Sequence, residues 1–364
     1  MALVILYGSF YPFGFYRHHD PRGPLGVLLD SGFASSSRDD VVANIFLYIP
    51  FGFIAAYALQ RRIFPAVACA AMAGFILSLF VELVQFYDAG RFQEISDICC
   101  NTLGTLLGAA AAAVVRRRVS SVYVALLLVC WFGSRFYPAS PPDPTSSILA
   151  LDLFRFFAGW LAVGLMLETL SGTTRSRAAL PLFLGASLVL RAVAVYVEPA
   201  EIAGGSAAAL LWSGLLWRLR ARAKITAVLF VTLVVLLALA PFHFSAIPRA
   251  FGWAPFRSFI EAPTGTAIRV FFEKAFLSGG MIWLMVSAGF SIGSAAAIGA
   301  TLVFGLRLLQ VYLPGRSAEI TDAALLLMLA AMMKLISLAE TEGPRGAILK
   351  KNVGTRLENR TDSA

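Results

Sequence analysis

Charge is what this chain is short of. Only 14% of its residues are charged, where a soluble domain carries about a quarter. It also has just three histidines and four cysteines, and no nucleophile elbow, P-loop, HExxH or dinucleotide fingerprint. Cys69, Cys99, Cys100 and Cys130 fall inside apolar runs, without the spacing of a disulfide framework or a zinc site. They read as small apolar packing residues. His18 and His19 beside Asp20 lie in a polar stretch and read as solvated; His243 stands alone. No metal and no cofactor is expected.

What fills the space is hydrocarbon. The chain is 59% hydrophobic with a mean hydropathy of +0.77. At roughly 20 apolar residues per span, that composition is a polytopic membrane protein. The net charge of +9 comes as short basic clusters between apolar runs, the loop bias of membrane proteins rather than a nucleic-acid face. No nucleic-acid partner is expected.

Residues 1–16 read as a first membrane helix, short for a span, rather than as a signal peptide. A Pro-, Gly- and Ser-rich stretch, 17–40, reads as a loop with an interfacial GVLL. Helices are expected over about 41–59, with a kink at Pro50-Phe51-Gly52, then 65–86 and 95–115. This first unit closes on Arg116-Arg117-Arg118.

Shifting the chain by 225 lays LRLLQVYLPGRSAEITD (306–322) on VELVQFYDAGRFQEISD (81–97) without a gap, with eight identical pairs. A fainter copy, 187–203, sets Arg191 opposite Glu82. The segments YGSFYPF, FGSRFYP and APFHF echo one another at the unit starts. The expectation is an all-α membrane bundle of about twelve spans, built as three parallel four-helix repeats: 1–118, 119–223 and 224–340. A polar tail, 341–364, reads as disordered. With the N-terminus in the cytoplasm, alternation places Arg61-Arg62, Arg116 to Arg118, Arg175, Arg177, the Arg218–Lys224 cluster and the basic tail inside. Both ends are then cytoplasmic.

Every polar motif then falls near the outer surface. Glu82 and Gln85 end one helix, Arg91 and Glu94 occupy the loop, and Asp97 and Asn101 start the next. Spacings of three and four put Glu82 with Gln85, and Asp97 with Asn101, on one helix face. Glu94 and Asp97 suit a helix N-terminus. The second helix of each unit adds polar groups: Asp39, Asp40 and Asn44, then Asp152 and Arg155, then Arg269, Glu273 and Lys274. An ionisable residue inside a span is costly and marks a site by default. The alternative is a structural knot that closes the hairpin. Secondary candidates are Arg191, Arg307, Gln310, Arg316, Glu319 and Asp322. The swap of Glu82 for arginine in the copies suggests one acid packed near Arg191 and Arg307. Gly104-x-x-x-Gly108 reads as close helix contact.

In order, Asp40, Asn44, Pro50, Gly52, Glu82, Gln85, Gly90, Arg91, Glu94, Asp97, Asn101, Gly104 and Gly108 resemble the pattern of the VanZ-like family of small bacterial membrane proteins. The resemblance covers about residues 3–115. The third unit keeps Gln310, Gly315, Arg316, Glu319 and Asp322 but has Arg307, Leu326, Leu329 and Met333 at the other positions. The family is named for a member linked to low-level resistance to the glycopeptide teicoplanin. It implies the bacterial cytoplasmic membrane and cell envelope without naming a reaction. Three readings stay open: a protein that binds a membrane lipid or lipid-linked envelope molecule at the outer leaflet or protects against an amphiphilic one, an intramembrane enzyme acting on head groups, and a transporter. A purely structural role stands beside them. The balance leans away from an enzyme. Because the copies keep the hairpin residues, Gly90, Arg91, Glu94 and Asp97 are expected to shape the turn. Glu82 and Asn101 are left for anything further.

Overall fold

The computed structural model describes residues 1–342 except 12, 18, 32–37, 60–62, 89–91, 119–120, 137–148, 172 and 195–196. Arg91 and the expected disordered tail from 343 onward lie outside these residues. The described chain is helical and divides into two compact units, Met1–Arg118 with the segment from Leu335, and Val119–Lys334.

The first unit contains α1 (Ala2–Phe10), α2 (Gly23–Asp30), α3 (Arg38–Ala58), α4 (Ile63–Gln85) and α5 (Ile95–Arg118). Its tightest pairing is α3 on α5, and glycine makes it possible. A methyl group at Gly104 would strike the Ile45 carbonyl, one at Gly108 the Ile49 carbonyl, and one at Gly52 the Thr105 carbonyl. Lipid supplies no hydrophobic drive between helices, so such backbone approach is what holds membrane helices together. Gly74 of α4 meets the Thr105 side chain in the same way. The stretch expected to be a loop holds α2, started by Pro24. There Arg22 pairs with Asp20 and Asp30 at 2.6 and 3.0 Å. Leu28 of α2 is buried while Leu25 and Leu29 are exposed, the two-faced pattern of a helix lying at an interface.

The second unit holds α6 (Val122–Phe136), α7 (Leu149–Ser171), α8 (Thr173–Ala194), α9 (Pro199–Gly214), α10 (Arg222–Leu239), the short α11 (Arg257–Glu261), α12 (Thr264–Ser287), α13 (Ile292–Leu309) and α14 (Thr321–Glu342) as far as Lys334. Its centre is built from Trp160, Trp212, Phe230, Met281, Ile282 and Leu284, all fully buried. Trp131 packs edge-on against Trp160 with centroids 5.5 Å apart.

The twelve-span, three-repeat architecture is overturned. Among the described residues seven helices are long and apolar enough to cross a membrane: α4, α5, α7, α10, α12, α13 and α14. The other five segments do form helices, but they are short or polar. At a rise of about 1.5 Å per residue, the nine residues of α1 reach about 14 Å and the 15 of α6 about 23 Å, against a hydrocarbon core of about 30 Å. The apolar part of α3 runs only from Ala43 to Ala58. α9 has 16 residues and carries Glu201, and α8 carries Arg175, Arg177 and Arg191. Counting apolar runs overstated the spans because a run ends where its helix ends. The spanning helices still need an apolar solvent: only 28% of the α4 window and 22% of the α10 and α13 windows is buried inside the protein.

The glycine seam makes a direct prediction. Gly108→Val should cost about 1–3 kcal/mol through overpacking of α3 on α5. Gly185→Ala, where nothing lies within 4 Å, should be neutral. Thermal unfolding of the purified protein in detergent checks both, and equal behaviour would contradict the close approach.

Candidate functional site

The polar end of the first unit is built around the end of α4. Glu82 is 1% exposed. Its Oε2 accepts the Glu94 backbone N–H at 3.0 Å, and its own carbonyl accepts Gln93 Nε2 at 2.6 Å. Glu94 immediately precedes α5, so the Glu82 carboxylate satisfies a donor at a helix N-terminus, where a negative charge is also favoured by the helix dipole. Ser31 Oγ accepts the next donor, Ile95 N–H, at 3.3 Å. Ser96 Oγ donates to Glu94 Oε2 at 2.9 Å. Gln85 Nε2 donates to the Ser9 carbonyl at 3.3 Å, tying α4 to the end of α1.

One turn deeper, Asn101 is 4% exposed and its Nδ2 donates to Ser78 Oγ at 2.9 Å. The Tyr48 phenol of α3 stands beside Ser78 and within electrostatic range of Glu82 and Asp97. Among the described residues neither Tyr48 Oη nor Asn101 Oδ1 has a hydrogen-bond partner. Glu82, Gln85 and Asn101 are thus brought together, with Asp97 half-buried at the same end. Asp40 is exposed on the first turn of α3 and Asn44 half-buried one turn on. Tyr48, Ser78 and Gln93 went unremarked in the sequence. Tyr48 lies four residues after Asn44, on the same helix face, which was the available signal.

The secondary candidates build ion pairs within the second unit. Glu201, fully buried, is shared by Arg135 at 2.8 Å and by Arg191. The Arg135 guanidinium also stacks 3.6 Å from the Trp131 ring centroid. Asp322 is shared by Lys274 at 2.7 Å and by Arg307, which also reaches Gln310. Glu273 pairs across helices with Arg155 at 2.8 Å. The expected trio of Glu82, Arg191 and Arg307 is therefore unnecessary. Each arginine has a carboxylate on a neighbouring helix, because unpaired charge in a span is costly. Among the described residues no group of three or more His, Cys, Asp and Glu side chains gathers to hold a metal.

The second unit repeats several local bonds of the first. Phe13 and Phe242 both take positive φ, 65° and 66°, and donate to Phe10 and Leu239. Tyr16 N–H reaches the Tyr87 carbonyl at 2.8 Å, and Ser245 N–H the Tyr312 carbonyl at 2.7 Å. Gln310 Nε2 donates to the Ala238 carbonyl at 2.7 Å, as Gln85 does to Ser9. Thr321 Oγ1 donates to Glu319 Oε2 at 3.0 Å, as Ser96 does to Glu94. Arg316 Nε instead braces the Ala240 carbonyl at 2.8 Å. The partners are offset by 225 in the hairpin and by 229 at the first helix end. The frame matches; the charge at position 82 against 307 is reversed.

Asp322→Asn should therefore strand both Lys274 and Arg307 and cost about 3–5 kcal/mol, whereas Arg307→Gln leaves Asp322 with Lys274 and should cost less. Thermal unfolding of the two purified variants ranks them. Equal losses would contradict the shared carboxylate.

Against known proteins, no curated protein and no solved structure matches this chain. Residues 3–116 match the VanZ/LLP1 family. The first third of the chain, which holds the Glu82 site, is thus similar to the VanZ/LLP1 family.

Proposed function

We propose that this is a polytopic protein of the bacterial envelope whose first unit binds the polar head of an amphiphilic molecule of the lipid-linked glycan, lipopeptide or glycopeptide type. The observation that carries the reading is that Tyr48 Oη, beside Ser78, and Asn101 Oδ1 are buried near Glu82 without a well-formed hydrogen bond among the described residues. Buried polar atoms in an apolar setting are normally satisfied, and an exception asks for a partner. Exposed Phe13, Phe15, Tyr16, Leu25 and Leu29 on the segments around α1 and α2 offer the acyl-facing surface that an amphiphile needs.

The hairpin divides its labour. Glu82, Gln93, Glu94 and Ser96 cap the helix ends, and this is work a structural knot also does. Tyr48 and Asn101 are what remains for recognition. The enzyme reading, with Glu82 as general base, fits less well, since its carboxylate is engaged by the Glu94 backbone N–H at the start of α5. Positive-inside bias puts Arg61-Arg62 and Arg116 to Arg118, which flank the α4–α5 hairpin, on the cytoplasmic side of the cytoplasmic membrane. The Glu82 end then meets the outer leaflet. The common bonds of the hairpins favour two copies of one ancestral lock, only the first of which keeps the Tyr48–Glu82–Asn101 set.

Among the described residues only Ser78 stands close to the Tyr48 hydroxyl and no hydrogen bond of good geometry holds it, so the Tyr48→Phe variant should accumulate in the membrane at the wild-type level. Native mass spectrometry should nevertheless find its co-purified amphiphile depleted relative to wild type. An unchanged set of bound species in Tyr48→Phe and in Asn101→Leu would contradict the binding site.

A further inference from the structure

The opposite end of the second unit holds a cleft that the Glu82 reading does not use. It has a volume of about 340 Å³ and is lined by Leu165, Glu168, Thr169, Arg220, Arg222 and Ser287. Glu168 lies 13 residues beyond Arg155 on α7, about 20 Å along the helix axis, so the cleft is remote from the ion pairs described above. Sequence makes this end basic. Arg218 and Arg220 lie between α9 and α10 and Arg222 and Lys224 open α10, and no acidic residue occurs between Glu201 and Glu261.

The cations here are not equivalent. Glu168, buried on α7, grips Arg222 with both oxygens, at 2.8 Å to Nε and 2.5 Å to Nη2. Arg222 Nη1 also caps the Leu219 carbonyl at 3.0 Å. That neutral pair fixes the floor of the cleft. Arg177 and Arg218 lie over the Trp217 ring, at 5.6 and 5.2 Å from its centroid, and the indole marks the depth of a membrane–water interface. Trp217 Nε1 is buried and, among the described residues, without a hydrogen-bond partner. Arg220 is exposed at the cleft wall. Among the described residues no carboxylate other than Glu168 lines the cleft, and Glu168 is spent on Arg222.

We infer that this cleft binds the phosphate of an anionic phospholipid head group, with Arg220 as its principal charge contact and the Glu168–Arg222 pair as the fixed wall. An interfacial basic pocket between membrane helices takes such head groups through charge-assisted hydrogen bonds. A guanidinium supplies them in a planar fork suited to phosphate. The surplus positive charge, the concavity and the tryptophan at interfacial depth agree on a lipid rather than a soluble anion. The inference stands whether or not the first unit binds an amphiphile.

The test uses the purified full-length chain in neutral detergent, titrated with phosphatidylglycerol, phosphatidylcholine or inorganic phosphate and read by native mass spectrometry and thermal unfolding. Phosphatidylglycerol should bind and stabilise in preference to phosphatidylcholine. Arg220→Gln should weaken that binding about fivefold with the lipid-free melting temperature unchanged, and Arg220→Lys should restore most of it. Equal binding of the two lipids, or full phosphatidylglycerol binding by Arg220→Gln, would overturn the site. Equal stabilisation by inorganic phosphate would overturn the lipid as its source.

Discussion

A carboxylate inside hydrocarbon has to be met by a donor or a cation from its own protein, and the rest of this structure follows from that requirement. Glu82 is met by a backbone N–H at the start of α5, Glu201 by Arg135 and Arg191, and Asp322 by Lys274 and Arg307. Each solution joins the end of one helix to the start or side of another, so the acids act as clasps that set which helices neighbour each other. Taking a charge out of water costs several kcal/mol even after relaxation. These contacts therefore specify the arrangement more than they add net stability. Apolar packing in lipid is weakly selective, and the clasps supply the selectivity.

The two hairpins show how one frame accommodates opposite charges. Both place a glutamine against the preceding helix end and a hydroxyl against a glutamate before the returning helix. In the first, an acid meets the helix N-terminus directly. In the second, Arg307 sits at that position and reaches Asp322, already inside the returning helix. Exchanging the sign moves the electrostatic contact by one turn but leaves the frame intact. The first hairpin is thereby the one with buried acids and, among the described residues, two buried polar atoms short of a hydrogen bond, and the second is closed by its own ion pairs.

The membrane class, the polar hairpin and the glycine seam were legible because each leaves a local signature: mean hydropathy, a cluster of acids between apolar runs, and Gly104 four residues before Gly108. The span count was not, because helix length depends on where caps and prolines end each run, and the reach of α1, α6 and α9 falls short of the bilayer. Partner choice was hidden for a different reason. Arg269 and Glu273 stand four apart on one helix, yet Glu273 meets Arg155 from a helix more than a hundred positions earlier in the chain. Tyr48 was equally invisible, since an aromatic in an apolar run reads as core until its hydroxyl is placed beside Ser78 and Glu82.

The central claim is that the buried polar end of the first unit is completed by something other than protein. A cryo-electron microscopy map of the full chain in nanodiscs made from native lipid tests it at the atoms concerned. The account predicts non-protein density within hydrogen-bonding distance of Tyr48 Oη and Asn101 Oδ1. A map in which both atoms are satisfied by the protein's own groups, with side chains closing over Glu82, would contradict it and reduce the hairpin to a structural clasp.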